Sequence, residues 1–483
     1  MTLTAVNVTE SDGSLGILPP SAGKLQAFVG PSSSGPVNTP ATYGRIKDIV
    51  ATFGQGPLVE AAAIEIDRYG KPVVVVRSGN TVAGTVGSIV SDADGTSVVT
   101  VHASPTPNDD LDIVVKFVVG GTRGVAGATY QISVDGGRNF GGIIALGTGT
   151  SIDIIGAGGV TFDLAAGTFV AGDTHSARTV APNFNSSELQ SALDALAASA
   201  ASWECVELCG PVDATTFDNI ETKCAGMFAA GKYHWWIGSP RVPNVGESEA
   251  TYLGAMNTAF GAKSTRFGAL CFGAVKISSA VSGRKYRRST VHAVGPFAAS
   301  VSEEVNIGDL TLGSIPGVSI RDVNGNPDEH DETLNPGADD ARFLALRTWD
   351  GYPGVYVNRP RLFSTDGSDF QLIPHRRVLN LAHAAVRAYF IRRINRPILV
   401  RKDNGLILES EALEIEAGAM SALRDTLLAK PKASAVQFAL SRVDNLLSTK
   451  TLNATARVVP LAYPEFINID VGYVNPALLV QAV

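Results

Sequence analysis

The chain has 483 residues, with 39 basic and 46 acidic side chains, a formal net charge of -7, 45% hydrophobic residues and only 18% charged ones. That length exceeds one ordinary core and implies about two to four domains, and the excess of acid argues against a general nucleic-acid binder. The opening Met1 to Gly13 has neither a basic start nor an apolar core, so no signal peptide is expected, and no apolar run approaches the roughly 20 residues needed to span a bilayer; synthesis in a cytoplasm is the default.

Residues 1–20 are polar, with β-tolerant Leu3, Ala5, Val6 and Val8, and end at Leu18-Pro19-Pro20. By composition alone they read as a disordered terminus. Leu25 to Val29 reads as a strand, Pro57 to Arg68 as a helix and Val73 to Val76 as a short buried strand. From Thr81 to Val180 glycine, threonine, valine and aspartate dominate and basic residues nearly vanish. Alternating runs at Ser97 to His102, Leu111 to Val119, Thr129 to Val134 and Ser151 to Ile155 are separated by turns such as Asp135-Gly136-Gly137. The pattern predicts an inserted all-β sandwich, with two readings open: a passive outward spacer, or a binder of a host or environmental ligand.

Asn185 to Ala200 reads as a helix capped by Ser186 or Ser187 ahead of Glu188. Strands at Trp203 to Cys209, Tyr233 to Gly238 and Phe267 to Phe272 alternate with helices at Thr215 to Ala230, Ser248 to Ala259 and Val291 to Val301. That alternation predicts a parallel or mixed sheet flanked by helices. Asp322 to Arg342 is an acidic loop. Arg376 to Ile394 then places Val378, Leu381, Ala382, Ala385 and Tyr389 at three- and four-residue steps, so one face is apolar and the other carries arginine. A second helix, Glu409 to about Leu428, ends before Pro431. Strand-like runs follow at Ala433 to Arg442, Leu452 to Pro460 and Phe466 to Val474, and the chain closes on an apolar tail, Asn475 to Val483, which needs an edge to pair with.

The chain carries no local signature of catalysis. Gly226 to Lys232 imitates a phosphate loop but joins a helix to a strand and puts Tyr233 where the magnesium hydroxyl belongs, so Gly231 reads as a helix C-terminal glycine. The glycines at 120–127 and 156–159 read as turns between strands, not as a dinucleotide fingerprint. No nucleophile elbow or paired metal-binding histidine motif is present. Cys205, Cys209, Cys224 and Cys271 read as buried free thiols, since the strand-like spacing of the first two separates them too widely to chelate. The acidic loop, with Asp322, Asn324, Asp328, Glu329, His330 and Asp331, is read as solvated, with a cation site as the rival; an EF-hand spacing fails at Thr333. Arg284 to Arg288 is an isolated basic run. No catalytic residue, metal or cofactor is expected.

Several runs, taken in order, carry a resemblance. They are Ala27 to Pro40 (AFVGPSSSGPVNTP), Phe53 to Leu58 (FGQGPL), Gly351 to Pro360 (GYPGVYVNRP), the helix opening Arg376-Arg377-Val378, Arg393 to Pro397 (RINRP), Asp444 to Leu452 (DNLLSTKTL) and Asp470 to Pro476 (DVGYVNP). Together they resemble contractile phage tail sheath proteins and span both ends of the chain. The resemblance implies a mixed α+β multidomain subunit: an N-terminal arm (1–20), an α/β middle domain (21–80 with 182–345), the inserted β domain (81–181), a C-terminal sheath domain (346–474) and a C-terminal arm (475–483). It implies arms that add strands to neighbouring subunits through Leu3, Ala5, Val6 and Val8 at one end and Leu478, Leu479, Val480 and Val483 at the other. Its implied partners are further copies in stacked rings, a tail tube, and baseplate and tail terminator proteins, with no membrane insertion and no direct nucleic-acid contact. Arg376, Arg377, Arg387, Arg392 and Arg393 have two readings, a solvated helix face or a face toward an acidic tube. The place of action implied is the virion tail. Another self-assembling structural protein, an adhesive surface protein using the β insertion and an α/β enzyme with an unrecognised site stay open as alternatives.

Overall fold

The computed structural model describes residues 25–322 and 324–473. By internal contacts the chain divides into two units, Met1–Ile394 and Asn395–Val483. Both arms of the expected scheme lie outside the described residues.

The first unit is built on a six-stranded sheet. Its spatial order is Gly268–Leu270, Trp235–Ser239, Trp203–Pro211, Leu25–Gly30, Val73–Arg77 and Ala41–Tyr43, all parallel except the last. Counted in chain order, the five parallel strands run 2-1-3-4-5, the order of a doubly wound α/β fold. The uninterrupted valines of Val73–Arg77 suit a strand covered on both sides. Val74 and Val76 face one core with Leu189, Phe217 and Tyr252 from the helices Ser186–Ala198, Ala214–Ala229 and Glu249–Phe260. Val73 and Val75 face the other, with Leu58 and Ala62 of the helix Pro57–Tyr69, beside a core holding Val294 and Phe297 of the helix Val291–Ser300.

The helix Ser186–Ala198 is capped by Asn185, not by Ser186 or Ser187 as expected: the Asn185 side chain accepts from the Glu188 backbone N–H and the Glu188 carboxylate accepts from that of Asn185. Glu188 also accepts from the Thr81 N–H, and Val82 bridges Asn183, so the two ends of the β insertion are stitched together at the base of this helix. Between them, Ile144–Ala145, Thr129–Ser133, Asp112–Val119, Thr174–Val180 and Thr85–Val86 form an antiparallel sheet, and Ser151–Asp153, Thr161–Leu164 and Val99–Val101 a second one. The inward residues of both, Ile113, Val115, Phe117, Ile152, Phe162 and Leu164 among them, share one core. Strict alternation of burial along Asp112–Phe117 is what the period of a half-buried strand requires.

The chain from residue 346 does not begin a separate domain. The hairpin Leu346–Trp349 and Tyr352–Val357 places Leu346, Val355 and Val357 in the same core as Ile64 and Val294, and the long helix Ile373–Ile391 adds Ile373 to it. The boundary expected at 346 is therefore corrected to Ile394/Asn395. In the second unit, the helix Glu409–Leu427 buries Ala412, Ile415, Ala419, Leu423 and Leu427 at helical spacing. It packs on Ala435–Leu440, which pairs antiparallel with Ala454–Val459 and buries Val436, Phe438 and Leu440. Of the third expected strand, Phe466 to Val474, the described residues 466–473 have no regular structure, are exposed and pair with no other described strand.

Candidate functional site

The long helix Ile373–Ile391 was expected to present an arginine face. The structure instead buries its first two arginines. Arg377 is only 4% exposed. Its Nε donates to Glu204 Oε1 at 2.7 Å, and its remaining nitrogens donate to the carbonyls of Ala298, Val301 and Ser302 at 2.9–3.2 Å. It thereby supplies donors to the C-terminal end of the helix Val291–Ser300, where carbonyls lack intrahelical partners. Arg376 is also buried; it donates to Asn380 Oδ1 and lies over the rings of Phe228, Phe267 and Phe370 at 5.2–5.5 Å. Burial, with Arg266 nearby, pushes this guanidinium down to about 10, and burial with Arg376 and Arg266 holds His383 down at about 4. Arg376 and Arg377 are thus interior residues, which corrects both readings of them. Arg387 and Arg392 are exposed and Arg393 is partly so.

The acidic loop is solvated only in part: Asn324 and Asp328 are exposed, whereas Glu329, His330 and Asp331 are buried. Arg287 Nε donates to Glu329 Oε1 at 2.5 Å. Asp331 accepts from the N–H groups of Thr333 and Thr348 and from the Thr348 hydroxyl, and Glu332 accepts from those of Gly337 and Asp339. His330 sits between Glu249 (3.0 Å) and Glu332 (2.9 Å). Burial alone would lower its pKa, but the two hydrogen-bonded carboxylates overcome this and raise it to about 9. The basic run is consumed the same way: Arg287 takes Glu329, and the buried Arg288 takes Asp109 of the β insertion at 2.6 Å. Desolvation raises Asp109 to about 7 despite Arg288. Arg287 and Arg288 of the basic run and the buried stretch Glu329 to Asp331 of the acidic loop are internal fasteners of the first unit.

A third group was not legible in the sequence beyond its cysteines. On the central strand Trp203–Pro211, Glu207 is wholly buried, and its side chain meets Gln26 Nε2 and His292 Nδ1, each at 2.8 Å. Burial and then the neighbouring Glu65 raise Glu207 well above the usual carboxylate range, while burial and Arg288 lower His292 to about 3. Cys209 Sγ lies close by, so that Glu207, Cys209 and His292 bring three potential ligand atoms within 4.8 Å of one another. Cys209 and His292 also line a cavity of about 560 Å3. It lies at the carboxyl ends of the third and fourth parallel strands, with Pro211 and Pro240 on one side and Asp112 and Arg178 of the insertion on the other. All four cysteines are buried and free.

Apolar surface concentrates elsewhere, on residues 466–473. Ile467, Ile469 and Val471 are 72–87% exposed, Tyr473 is fully so, and they alternate with Asn468, Asp470 and Gly472. This is the period-2 pattern of a strand with one apolar face, and no ladder within the described residues takes it up. Among the described residues no helix is long and apolar enough to cross a membrane.

The family model described as "DUF2586, N-terminal domain" matches residues 3–361. The chain belongs to the DUF2586 family. No curated protein sequence matches it. Among solved structures, the DUF2586 chain is similar to a chain of the anti-feeding prophage baseplate in its contracted state, at 14% identity and TM-score 0.53, over 98% of each chain. It is similar to the helical sheath of the anti-feeding prophage in the contracted state (10%, TM-score 0.50, 98% of this chain and 99% of that one). The sheath complex of an extracellular contractile injection system, PVC, also contracted, matches at 8% and TM-score 0.50 over 98% of each chain. At such identities the likeness is one of fold, and the mixed α+β architecture of this chain is the sheath fold. The motif resemblance at both ends of the sequence agrees with it.

Proposed function

We propose that this protein is the structural subunit of a contractile tail sheath. It polymerises as stacked rings around a tail tube, meets baseplate and terminator proteins at the ends, and contracts to drive the tube through a host envelope. The observation that carries the reading is a fold likeness to contracted sheath subunits that runs through 98% of this chain and 98–99% of those chains. The role is mechanical and asks for no catalysis. Its site of action on this reading is the tail of a phage-like particle assembled in a bacterial cytoplasm.

A contracting sheath needs subunits that stay rigid while their contacts slide, with links that persist throughout. The ion pairs and capped helices of the first unit support rigidity. The second unit supports the links, because among the described residues its ladder has two strands, marginal alone in water, and residues 466–473 offer a strand pattern that no described strand takes up. On this reading the segment from Phe466 through Leu478, Leu479, Val480 and Val483, and the N-terminal Leu3, Ala5, Val6 and Val8, add strands to neighbouring subunits. Arg387, Arg392 and Arg393, at the end of the long helix, face the tube. Hydrogen exchange of residues 466–473 in dispersed and polymerised protein tests the linkage. Protection gained only in the polymer is the expected result; equal protection in both states contradicts it.

A further inference from the structure

Glu207 and Cys209 are two residues apart on one strand, so their side chains leave the same face, and His292 reaches them from the second position of the helix Val291–Ser300. We propose that Glu207, Cys209 and His292 form a binding site for a borderline-soft divalent cation of the zinc type, which rivets this helix to the central strand. The donor set of one thiolate, one imidazole and one carboxylate is what such an ion takes, in contrast to the all-oxygen shells of calcium and magnesium. Around a tetrahedral ion with bonds of about 2.0–2.3 Å, ligand atoms lie about 3.3–3.8 Å apart. The three atoms already fall within 4.8 Å, and the 2.8 Å approach of Glu207 to His292 widens by about half an ångström when an ion enters between them.

Two further observations point to a ligand. The Gln26 amide nitrogen is committed to Glu207 Oε2, but Gln26 Oε1, buried beside the same carboxylate, has no hydrogen-bond partner among the described residues. It is an unspent oxygen donor on a side chain that already touches the Glu207 carboxylate, and so a candidate fourth ligand. The cavity that reaches Cys209 and His292 supplies an entry path, and it lies outside the carboxyl ends of a doubly wound sheet, next to the strand-order reversal where ligands bind in such folds.

Charge balance fits a dry interior. A dication with the Cys209 thiolate, the Glu207 carboxylate and the neutral imidazole of His292 sums to zero, which avoids the penalty of an uncompensated buried ion. Binding releases the thiol proton and any carboxyl proton to solvent, as metal sites built from such ligands do.

The test uses the full chain expressed in minimal medium supplemented with cobalt(II), so that no refolding step intervenes. The site predicts one ion per chain by elemental analysis and a near-ultraviolet sulfur-to-cobalt charge-transfer band. Cys209→Ser abolishes the band, whereas Cys205→Ser, four residues away on the same strand, retains it. Should Cys209→Ser fail to accumulate as folded protein, His292→Gln reads the same site, with cobalt affinity weakened by more than about tenfold. Folded parent protein with no ion above background, or a band that survives Cys209→Ser or an affinity that survives His292→Gln, overturns the assignment. None of these readouts depends on assembly, so they are independent of the sheath role.

Discussion

Replacing Arg377 by methionine isolates the interaction that docks the long helix on the first unit. The substitution keeps the length of the aliphatic stem and removes the guanidinium, leaving the Glu204 carboxylate, itself 8% exposed, without its cation. Breaking a buried pair by removing one partner costs about 3–5 kcal/mol, because the residual charge stays desolvated. The carbonyls of Ala298, Val301 and Ser302 also lose their donor, but Ser302 is exposed and water replaces part of that loss, so the total stays within about 3–5 kcal/mol. Trp203, Trp235 and Trp236 are all buried in the central sheet, so tryptophan fluorescence in a urea titration reports on the unit that is perturbed. Adding Glu204→Gln to Arg377→Met removes the stranded charge and recovers most of the loss. A single variant destabilised by less than about 1 kcal/mol, the range of an exposed pair, refutes the burial argument. So does a double variant no more stable than the single one.

The first unit also has a pH signature. His330 is held at about 9 in the fold against 6.5 unfolded, so its contribution is fully present below pH 6.5 and is lost as pH rises through 9. The amount is on the order of 2–3 kcal/mol, reduced by the partial exposure of Glu249. Glu65, lifted by burial to about 8, adds loss between pH 4.5 and 8 from another place. Thermal midpoints from pH 6.5 to 9.5 are therefore expected to fall more steeply for the parent than for His330→Gln; parallel curves would show that the pair of carboxylates does not hold the proton. On the acid side, His292 and His383, held at about 3 and about 4, make stability fall as pH drops below 6.5. In the second unit, Ile469→Lys on the exposed apolar face leaves the dispersed subunit's stability within about 0.5 kcal/mol of the parent's. It lowers the polymerised fraction in sedimentation by removing about 1.5–3 kcal/mol of burial per contact. A variant that polymerises like the parent would rule this face out as a subunit contact.

The parts of this fold that follow local rules were readable from the sequence. The valine run at 73–76 marked a buried parallel strand, the helix read from Ser248 is present with Ser248 as its cap, and the alternation of Asp112–Val119 declared a half-covered sheet. The Asn185 cap was missed because asparagine and serine both serve at that position, and only backbone angles choose between Asn185 and Ser186. Arg376 and Arg377 misled for a different reason. An arginine at helical spacing reads as a polar face, and nothing near it announces that Glu204, 173 positions earlier, will meet it in the interior. The acidic loop and the Arg284 to Arg288 run failed in the same way: each looked like surface charge because its partner, Arg287 for Glu329 and Asp109 for Arg288, is distant in the chain. The boundary at Ile394 also depends on long-range packing, since the hairpin at 346–357 joins a core already defined by Ile64 and Val294. The Glu207 group had one local sign, a glutamate inside an apolar strand, which a search confined to cysteine spacing passes over.

Negative-stain electron microscopy of the concentrated, purified chain, beside a version truncated after Pro476, tests the central claim most directly. The sheath account predicts hollow, helically striated cylinders from the full-length chain that are lost or shortened in the truncation. Monodisperse particles from both, even when a tube of matching diameter is supplied as template, would contradict it.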